Sequence, residues 1–301
     1  MNFRVADSTS SANFSSRIGS QRARVAVLQE RLISGKRINR PSDDPAGAEA
    51  VLNLRTSQTE IVQFQRTNQA ASQKLTAADD ALNSYEGILE RVRVLVTHGL
   101  SDTSTQPAKN ALASEIEALR SRILNVANAR NGDDYLFGGT RQNAAPFDPI
   151  TGIPAVATTT PQYIQIEPGA SAIAVSVTAD TIFSDATSTI FTDLTDAITA
   201  LRGTGDPVVD RTTLENTSAR LAVYSGQVNN ARSIVGANFN ATEIVEETLA
   251  NNFFSFGERA NDIEGADFAE SALGLADAQA ALDATQQIAA RGRRSLFDFL
   301  G

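Results

Sequence analysis

Two long stretches of the chain repeat their apolar residues every seven positions, and they lie in opposite halves of the sequence. Within residues 44–96 a second apolar set follows three residues behind the first, and a similar but softer repeat covers residues 214–263. This spacing keeps both sets on one face of a helix and predicts a coiled-coil seam. The seam is expected at Leu54, Ile61, Leu75, Leu82, Leu89, Leu214, Leu221, Val228 and Leu249.

Matched repeats on both sides of a less regular middle segment indicate that the two halves return to pack on each other. We therefore predict a mainly α fold: an elongated antiparallel coiled-coil or helical-bundle rod, built from the N- and C-terminal halves, with a small central β-rich insertion. Asn68 falls at a core position of the first repeat, where a polar side chain commonly fixes the register of paired helices.

The two ends of the chain carry one apolar stripe each, which predicts further amphipathic helices. Residues 1–10 show no period and are expected to be non-helical, and the N-terminal helix is expected to stop at Ser34. A single partner helix would cover only part of each stripe, so we predict that assembly with other subunits buries the rest. The stripe residues are Phe14, Ile18, Val25, Leu28, Leu32, Phe268, Leu275, Leu282, Leu296 and Phe299.

A corner between the first two helices is predicted at residues 35–50, GKRINRPSDDPAGAEA. Gly35 accepts the left-handed conformation that ends a helix, and Pro41 disfavours helical geometry at the residue before it. One of the residues 42–44, Ser-Asp-Asp, is expected to cap a new helix whose first turn holds Pro45. The sequence therefore predicts a short helix, a corner and then a very long helix.

The middle of the chain has a different texture, with recurrent prolines and two short β-prone segments at 163–166 and 173–178. We expect this segment to lie at the surface, and we expect residues 147–185 to be dispensable for folding of the rod. The predicted domains are a terminal helical assembly domain at 1–41 plus 265–301, a helical rod at 42–140 plus 186–264, and a β-rich insertion at 141–185.

Composition and motifs point away from enzymatic chemistry. The chain has no cysteine, a single histidine at His98 and a net charge of −9. No nucleotide-binding loop, nucleophile elbow or metalloprotease motif is present, and adjacent aspartates on a helix point in different directions. We therefore expect no catalytic residues, no cofactor and no metal site. The acidic balance disfavours nucleic-acid binding, and the lack of an apolar run of about 18 residues disfavours membrane insertion.

Charge is distributed unevenly between the two ends of the chain. Residues 1–41 hold eight basic residues against two acidic ones, whereas residues 240–301 hold eleven acidic residues against four basic ones. Opposite charges of this kind favour an arrangement in which the two ends meet.

Several runs of sequence resemble the flagellin superfamily of bacterial flagellar axial proteins. The corner at 35–50 is similar to its N-terminal motif, and residues 263–270 with the Ser295-Leu296 ending are similar to its C-terminal motif. Pro41, Pro45, the run 135–140 (YLFGGT) and Pro146-Phe147 are closer to the hook–filament junction proteins of the superfamily than to flagellin proper. The resemblance covers nearly the whole chain.

The resemblance implies a structural protein that links hook to filament and templates filament assembly. It further implies a homo-oligomer whose partners are other hook-associated proteins, flagellin and an export chaperone. The expected location is extracellular, in the bacterial flagellum, after type III export without a cleaved signal peptide. The alternatives are a flagellin or minor flagellin that forms the filament itself and, outside the superfamily, a cytosolic coiled-coil scaffold.

Overall fold

Seven helices account for most of the part of the chain that the computed structural model describes, which is residues 3–155, 160–170, 172–185 and 187–300. The side chains of residues 3–12 and 289–300 lie outside that description. The helices are α1 (Phe3–Ser34), α2 (Pro45–Gly99), α3 (Gln106–Ala127), α4 (Ala179–Phe183), α5 (Ile190–Arg202), α6 (Pro207–Glu264) and α7 (Phe268–Leu300). The expectation that residues 1–10 are non-helical is wrong from Phe3 onward, because helical hydrogen bonding there does not depend on an apolar stripe.

The chain forms two compact units. One comprises Met1–Ile61 with Asn251–Gly301, and the other comprises Val62–Ala250. The insertion predicted at 141–185 therefore shares a unit with most of the rod helices. The three-part division of the chain into assembly, rod and insertion domains stays a prediction.

In the unit Val62–Ala250, α2 and α6 pack against each other in antiparallel order. The Asn68 side-chain amide donates a hydrogen bond to the Thr242 carbonyl at 2.8 Å. Further along α2, Asp79 and Glu86 both pair with Arg232, which comes earlier in α6, at 3.0 and 2.7 Å. The prediction of a mainly α fold with antiparallel pairing of the two halves is thereby confirmed.

The predicted seam residues line the interior of their units. Eight of the nine are buried and Leu54 is half-buried. Asn68 is 1% exposed, and its carbonyl oxygen has no hydrogen-bond partner. A buried amide that is only half satisfied is a costly feature in a core, so it limits how the seam can pack.

The middle segment contributes to the core, contrary to the expectation that it lies at the surface. The Phe183 ring lies 4.6 Å from the Tyr85 ring of α2 and 5.5 Å from the Phe137 ring, measured between centroids. Phe147 and Phe191 complete this aromatic cluster, and all five side chains are buried. The cluster could not be predicted from the sequence, because isolated aromatics in an irregular segment have no period that indicates burial.

Regular β structure in the described residues is limited to two small antiparallel pairs. Strands β1 (Arg130–Asn131) and β2 (Asp134–Tyr135) form one pair, while β3 (Tyr163–Ile164) and β4 (Ile173–Ala174) form the other. The second pair falls within the predicted β-prone segments. Ile166 and Val175 beside it are buried against Ala71 of α2, so this pair also packs on a helix.

A buried polar network connects α5 to α6. The Asp193 carboxylate, 5% exposed, accepts hydrogen bonds from the Tyr224 hydroxyl and the Arg220 guanidinium, both at 2.8 Å, and from the Ser188 hydroxyl at 2.6 Å. Burial, together with the hydrogen bond to Asp193, raises the pKa of Tyr224. Each polar group here has a partner, so the carboxylate remains buried at tolerable cost.

Candidate assembly interface

The unit Met1–Ile61 with Asn251–Gly301 contains the corner and the terminal helices to which the sequence assigned assembly. Gly35 has a φ of +67°, which a side chain would strain, and α1 ends immediately before it. Asp44 caps α2, because its Oδ1 accepts the Gly47 amide at 3.0 Å while Arg37 binds its Oδ2 at 3.1 Å. The Gly47 hydrogen bond first, and then Arg37, lower the pKa of Asp44.

The corner is hydrogen-bonded to the segment that follows α6, although the two are more than 200 residues apart in sequence. Lys36 and Gly265 form an isolated antiparallel bridge, and the Gly35 carbonyl accepts the Ala266 amide at 3.0 Å. The Arg37 amide donates to the Glu264 carbonyl at 2.6 Å. The two stretches that carry the N- and C-terminal resemblance are therefore joined through their backbones.

Glu264 reinforces this junction through its side chain. Its carboxylate, in a residue only 7% exposed, binds Arg55 at 2.6 Å and Lys36 at 3.2 Å. At the next position, a Cβ on Gly265 would come 2.6 Å from the Asn261 carbonyl oxygen, closer than real Cβ contacts. A residue larger than glycine would therefore disturb the break between α6 and α7. We name this group of contacts the corner junction.

Helices α1 and α7 pack against each other, but they bury their stripes only in part. Phe14, Ile18, Val25, Leu28 and Leu32 of α1 are all half-buried, as are Leu275 and Leu282 of α7. Phe268 is 70% exposed, so it contributes little to packing within the subunit. The side chains of Leu296 and Phe299 lie outside the described residues. Whether these ten residues form an assembly interface stays a prediction.

Small residues of α7 also take part in its packing, although they lie outside the predicted apolar stripe. Ser271 and Ala278 are buried at 6% and 3% exposure. A Cβ on Gly274 would lie 3.5 Å from Leu28 Cδ2, which places the α7 backbone close to the α1 side chains. The signal was present in the sequence, because Ser271, Gly274 and Ala278 recur at helical spacing, but a search for large apolar residues passes over it.

The opposite charges of the two ends meet at the corner junction rather than along the helices. Lys36 and Glu264 form an ion pair at 3.2 Å. Among the described side chains no ion pair joins α1 to α7. The prediction that the ends meet is correct for the backbone, whereas the described charges of α1 and α7 do not pair with each other.

Within the described residues, no helix is long and apolar enough to cross a membrane, and no cluster of three metal-ligating side chains occurs. His98 is exposed at the end of α2, and its carbonyl accepts the Ser104 hydroxyl at 2.9 Å. The described geometry is that of helix packing and backbone junctions.

This arrangement defines a helical subunit whose two terminal segments are held together. Comparison with known proteins shows which proteins it is similar to. Residues 5–142 match the family model described as the bacterial flagellin N-terminal helical region. The matched region is a little under half of the chain, and over it the chain is similar to the flagellins.

Individual relatives refine that placement. The chain is 24% identical over 283 residues to flagellar hook-associated protein 3 of Escherichia coli, covering 85% of this chain and 86% of the relative. It is 29% identical over 126 residues to flagellar hook-associated protein 3 of Salmonella typhimurium, covering 42% of this chain and 40% of that relative's length. The flagellin of Clostridium tyrobutyricum and flagellin B of Helicobacter pylori align over 33% and 46% of the chain, respectively.

A solved structure shows the same fold. The crystal structure of flagellar hook-associated protein 3 from Legionella pneumophila matches with a TM-score of 0.63 at 14% identity, covering 71% of this chain and 98% of that one. At this identity the match concerns the fold alone.

Proposed function

We propose that the chain is a structural subunit of the bacterial flagellum that joins the hook to the filament and templates filament assembly. The observation that carries the proposal is the alignment with hook-associated protein 3 of Escherichia coli, which extends over 85% of the chain and 86% of the relative. The flagellin alignments cover less than half of it. An axial subunit needs a packed helical body and exposed ends, and no catalytic step belongs to the proposal.

The partners belong to the same proposal. We infer that the subunit forms a homo-oligomer through the half-buried stripes of α1 and α7, and that it contacts hook-associated proteins on one side and flagellin on the other. We further propose that the subunit is exported through the flagellar type III apparatus. Before export, a chaperone would cover the α7 stripe. The half-burial of Leu275 and Leu282 supports this, because apolar area remains for a partner to cover.

Localisation tests the proposal against its alternatives. A short epitope inserted at the exposed Pro168-Gly169 turn, where nothing lies near Gly169, leaves the terminal helices intact. We expect one focus of label at the hook–filament boundary and loss of filaments on deletion of the gene. Label along the whole filament would show a flagellin instead, and label confined to the cytoplasm would show a scaffold. An epitope in the flagellin of the same cells serves as the matched control.

A further inference from the structure

A basic stripe lies on the face of α1 beside its apolar residues. Arg17, Arg24 and Arg31 are spaced by seven, which places them in one row along the helix, and Val27 next to them is 45% exposed. Arg17 and Arg24 are exposed, and none of the three forms an ion pair with a described side chain. The Nε of Arg31 is buried without a hydrogen-bond acceptor.

Arg24 and Arg31 also border a groove between α1 and α7 with a volume of about 560 Å³. Asp267 and Glu270 line the opposite wall, yet they do not reach ion-pair distance from either arginine. The arginines therefore remain available to an acidic group from outside the subunit.

An acidic stripe lies on the last turns of α6, in the same unit. Phe254, Glu258 and Asp262 follow at intervals of four and so share a face, and all three are exposed. Phe254 is 69% exposed, a large value for an aromatic side chain. Neither acidic residue forms an ion pair with a described side chain.

We propose that the α1 stripe of one copy docks on the α6 stripe of a second copy of this chain. The two surfaces complement each other, since each combines one sign of charge with an exposed apolar residue. The arginines would face Glu258 and Asp262, and an arginine over the Phe254 ring would add a cation–π contact. The two exposed arginines, Arg17 and Arg24, span about 10 Å and Phe254 to Asp262 about 12 Å along their helices, so this part of the α1 stripe matches the α6 stripe in length.

The contact joins two different patches, and it is therefore heterologous and repeats from copy to copy into a ring or a helical assembly. Exposed ion pairs contribute little affinity and are screened by salt, so the charges mainly select the partner and the orientation. The proposal rests on the homo-oligomer of the proposed function and names the surfaces that it would use.

Cysteine cross-linking tests the contact directly, because the chain has no cysteine of its own. We expect Val27→Cys combined with Phe254→Cys to give disulfide-linked dimers and longer ladders in isolated flagella and in the concentrated purified protein. Each single variant should give none. Ile33→Cys with Phe254→Cys is the matched control, since Ile33 is 87% exposed on another face of α1. Absence of ladders from the first pair, or equal ladders from the control pair, overturns the proposal.

Charge exchange in the purified full chain tests the electrostatics. Arg17→Glu/Arg24→Glu and Glu258→Lys/Asp262→Lys should each weaken self-association about tenfold, and mixing the two variants should restore it. Arg22→Glu, off the stripe on the same helix, should change it little. Unrestored mixtures of variants with normal circular dichroism would contradict the contact. So would an unchanged self-association accompanied by lost binding to a DNA oligonucleotide or to anionic vesicles.

These outcomes separate the contact from the proposed function. If the tagged wild-type protein is found at the hook–filament boundary but the charge variants have no effect on self-association, only the proposed contact is rejected. If the tagged wild-type protein is found along the filament, the junction function is rejected. Mixing the two charge variants would still test the contact.

Discussion

At the scale of single residues, Asn68 shows how one polar side chain shapes a core. Its amide donates to the Thr242 carbonyl, while its own carbonyl oxygen is buried without a partner. Thr242 lies within α6, where its carbonyl also serves the helical hydrogen-bond ladder, so removing Asn68 would not orphan it. Asn68 therefore lowers the stability of the subunit but fixes the register between α2 and α6, as polar residues in helical seams commonly do.

We expect Asn68→Leu to stabilise the subunit by about 1 kcal/mol, because it replaces a half-satisfied buried amide with an apolar side chain of similar size. The midpoint of urea unfolding measures the change. Asn68→Asp is the control, and it should destabilise the subunit because it buries a charge at the same position. A clear loss of stability in Asn68→Leu would show that the hydrogen bond to Thr242 outweighs the unsatisfied oxygen.

Asp44 gives the fold a dependence on pH. The Gly47 amide and Arg37 lower its pKa in the folded state, so its carboxylate stabilises the fold above the unfolded pKa. That contribution is lost as the pH falls below about 4 and through the folded pKa. We expect Asp44→Asn to reduce the difference in Tm between pH 7 and pH 3. Asp80→Asn, an exposed change within α2, should leave that difference as in the wild type.

At the scale of elements, the sequence predicted the helices well and the middle segment poorly. The seven-residue repeats identify α2 and α6 because each repeat is sustained over many turns, and Gly35, Asp44 and Pro45 mark the corner by local backbone chemistry. The corner junction could not be predicted, because nothing local to residues 35–38 indicates that their partners are residues 263–266. The burial of Phe147 and Phe183 could not be predicted for a related reason, since it depends on contacts with helices distant in sequence.

The aromatic cluster argues against the expected dispensability of residues 147–185, which stays untested. Phe183 is fully buried among Tyr85, Phe137, Phe147 and Phe191. We expect Phe183→Ala to destabilise the subunit by about 3–5 kcal/mol, through lost burial and the cavity that it leaves. Thermal unfolding measures this change.

The matched control for Phe183→Ala is Ile150→Ala, in the same segment. Ile150 is 83% exposed, so this variant should stay within about 0.5 kcal/mol of the wild type. Equal stability of the two variants would support the prediction that residues 147–185 are dispensable for folding.

At the scale of the whole molecule, the two units differ in how completely they bury their side chains. In the unit Val62–Ala250 the seam and the aromatic cluster are buried almost fully, whereas the stripes of α1, Leu275 and Leu282 remain half-buried. Full burial of a large apolar side chain is worth about 1.5–3 kcal/mol, and half-burial supplies correspondingly less. Ordering each residue costs about 1–2 kcal/mol in backbone entropy. The free energy that keeps α1 and α7 folded is therefore small.

We therefore predict that α1 and α7 open more often than the helices of the other unit in the free subunit, and that assembly suppresses this opening. Limited proteolysis of the purified monomer should remove residues at both ends before any cut falls within Val62–Ala250. The same protease should spare the ends in isolated flagella, because neighbouring subunits would cover Phe14, Leu28 and Leu275. Protection of both ends in a verified monomer would show that the contact between α1 and α7 is sufficient by itself, and the termini would then need no assembly to hold their structure.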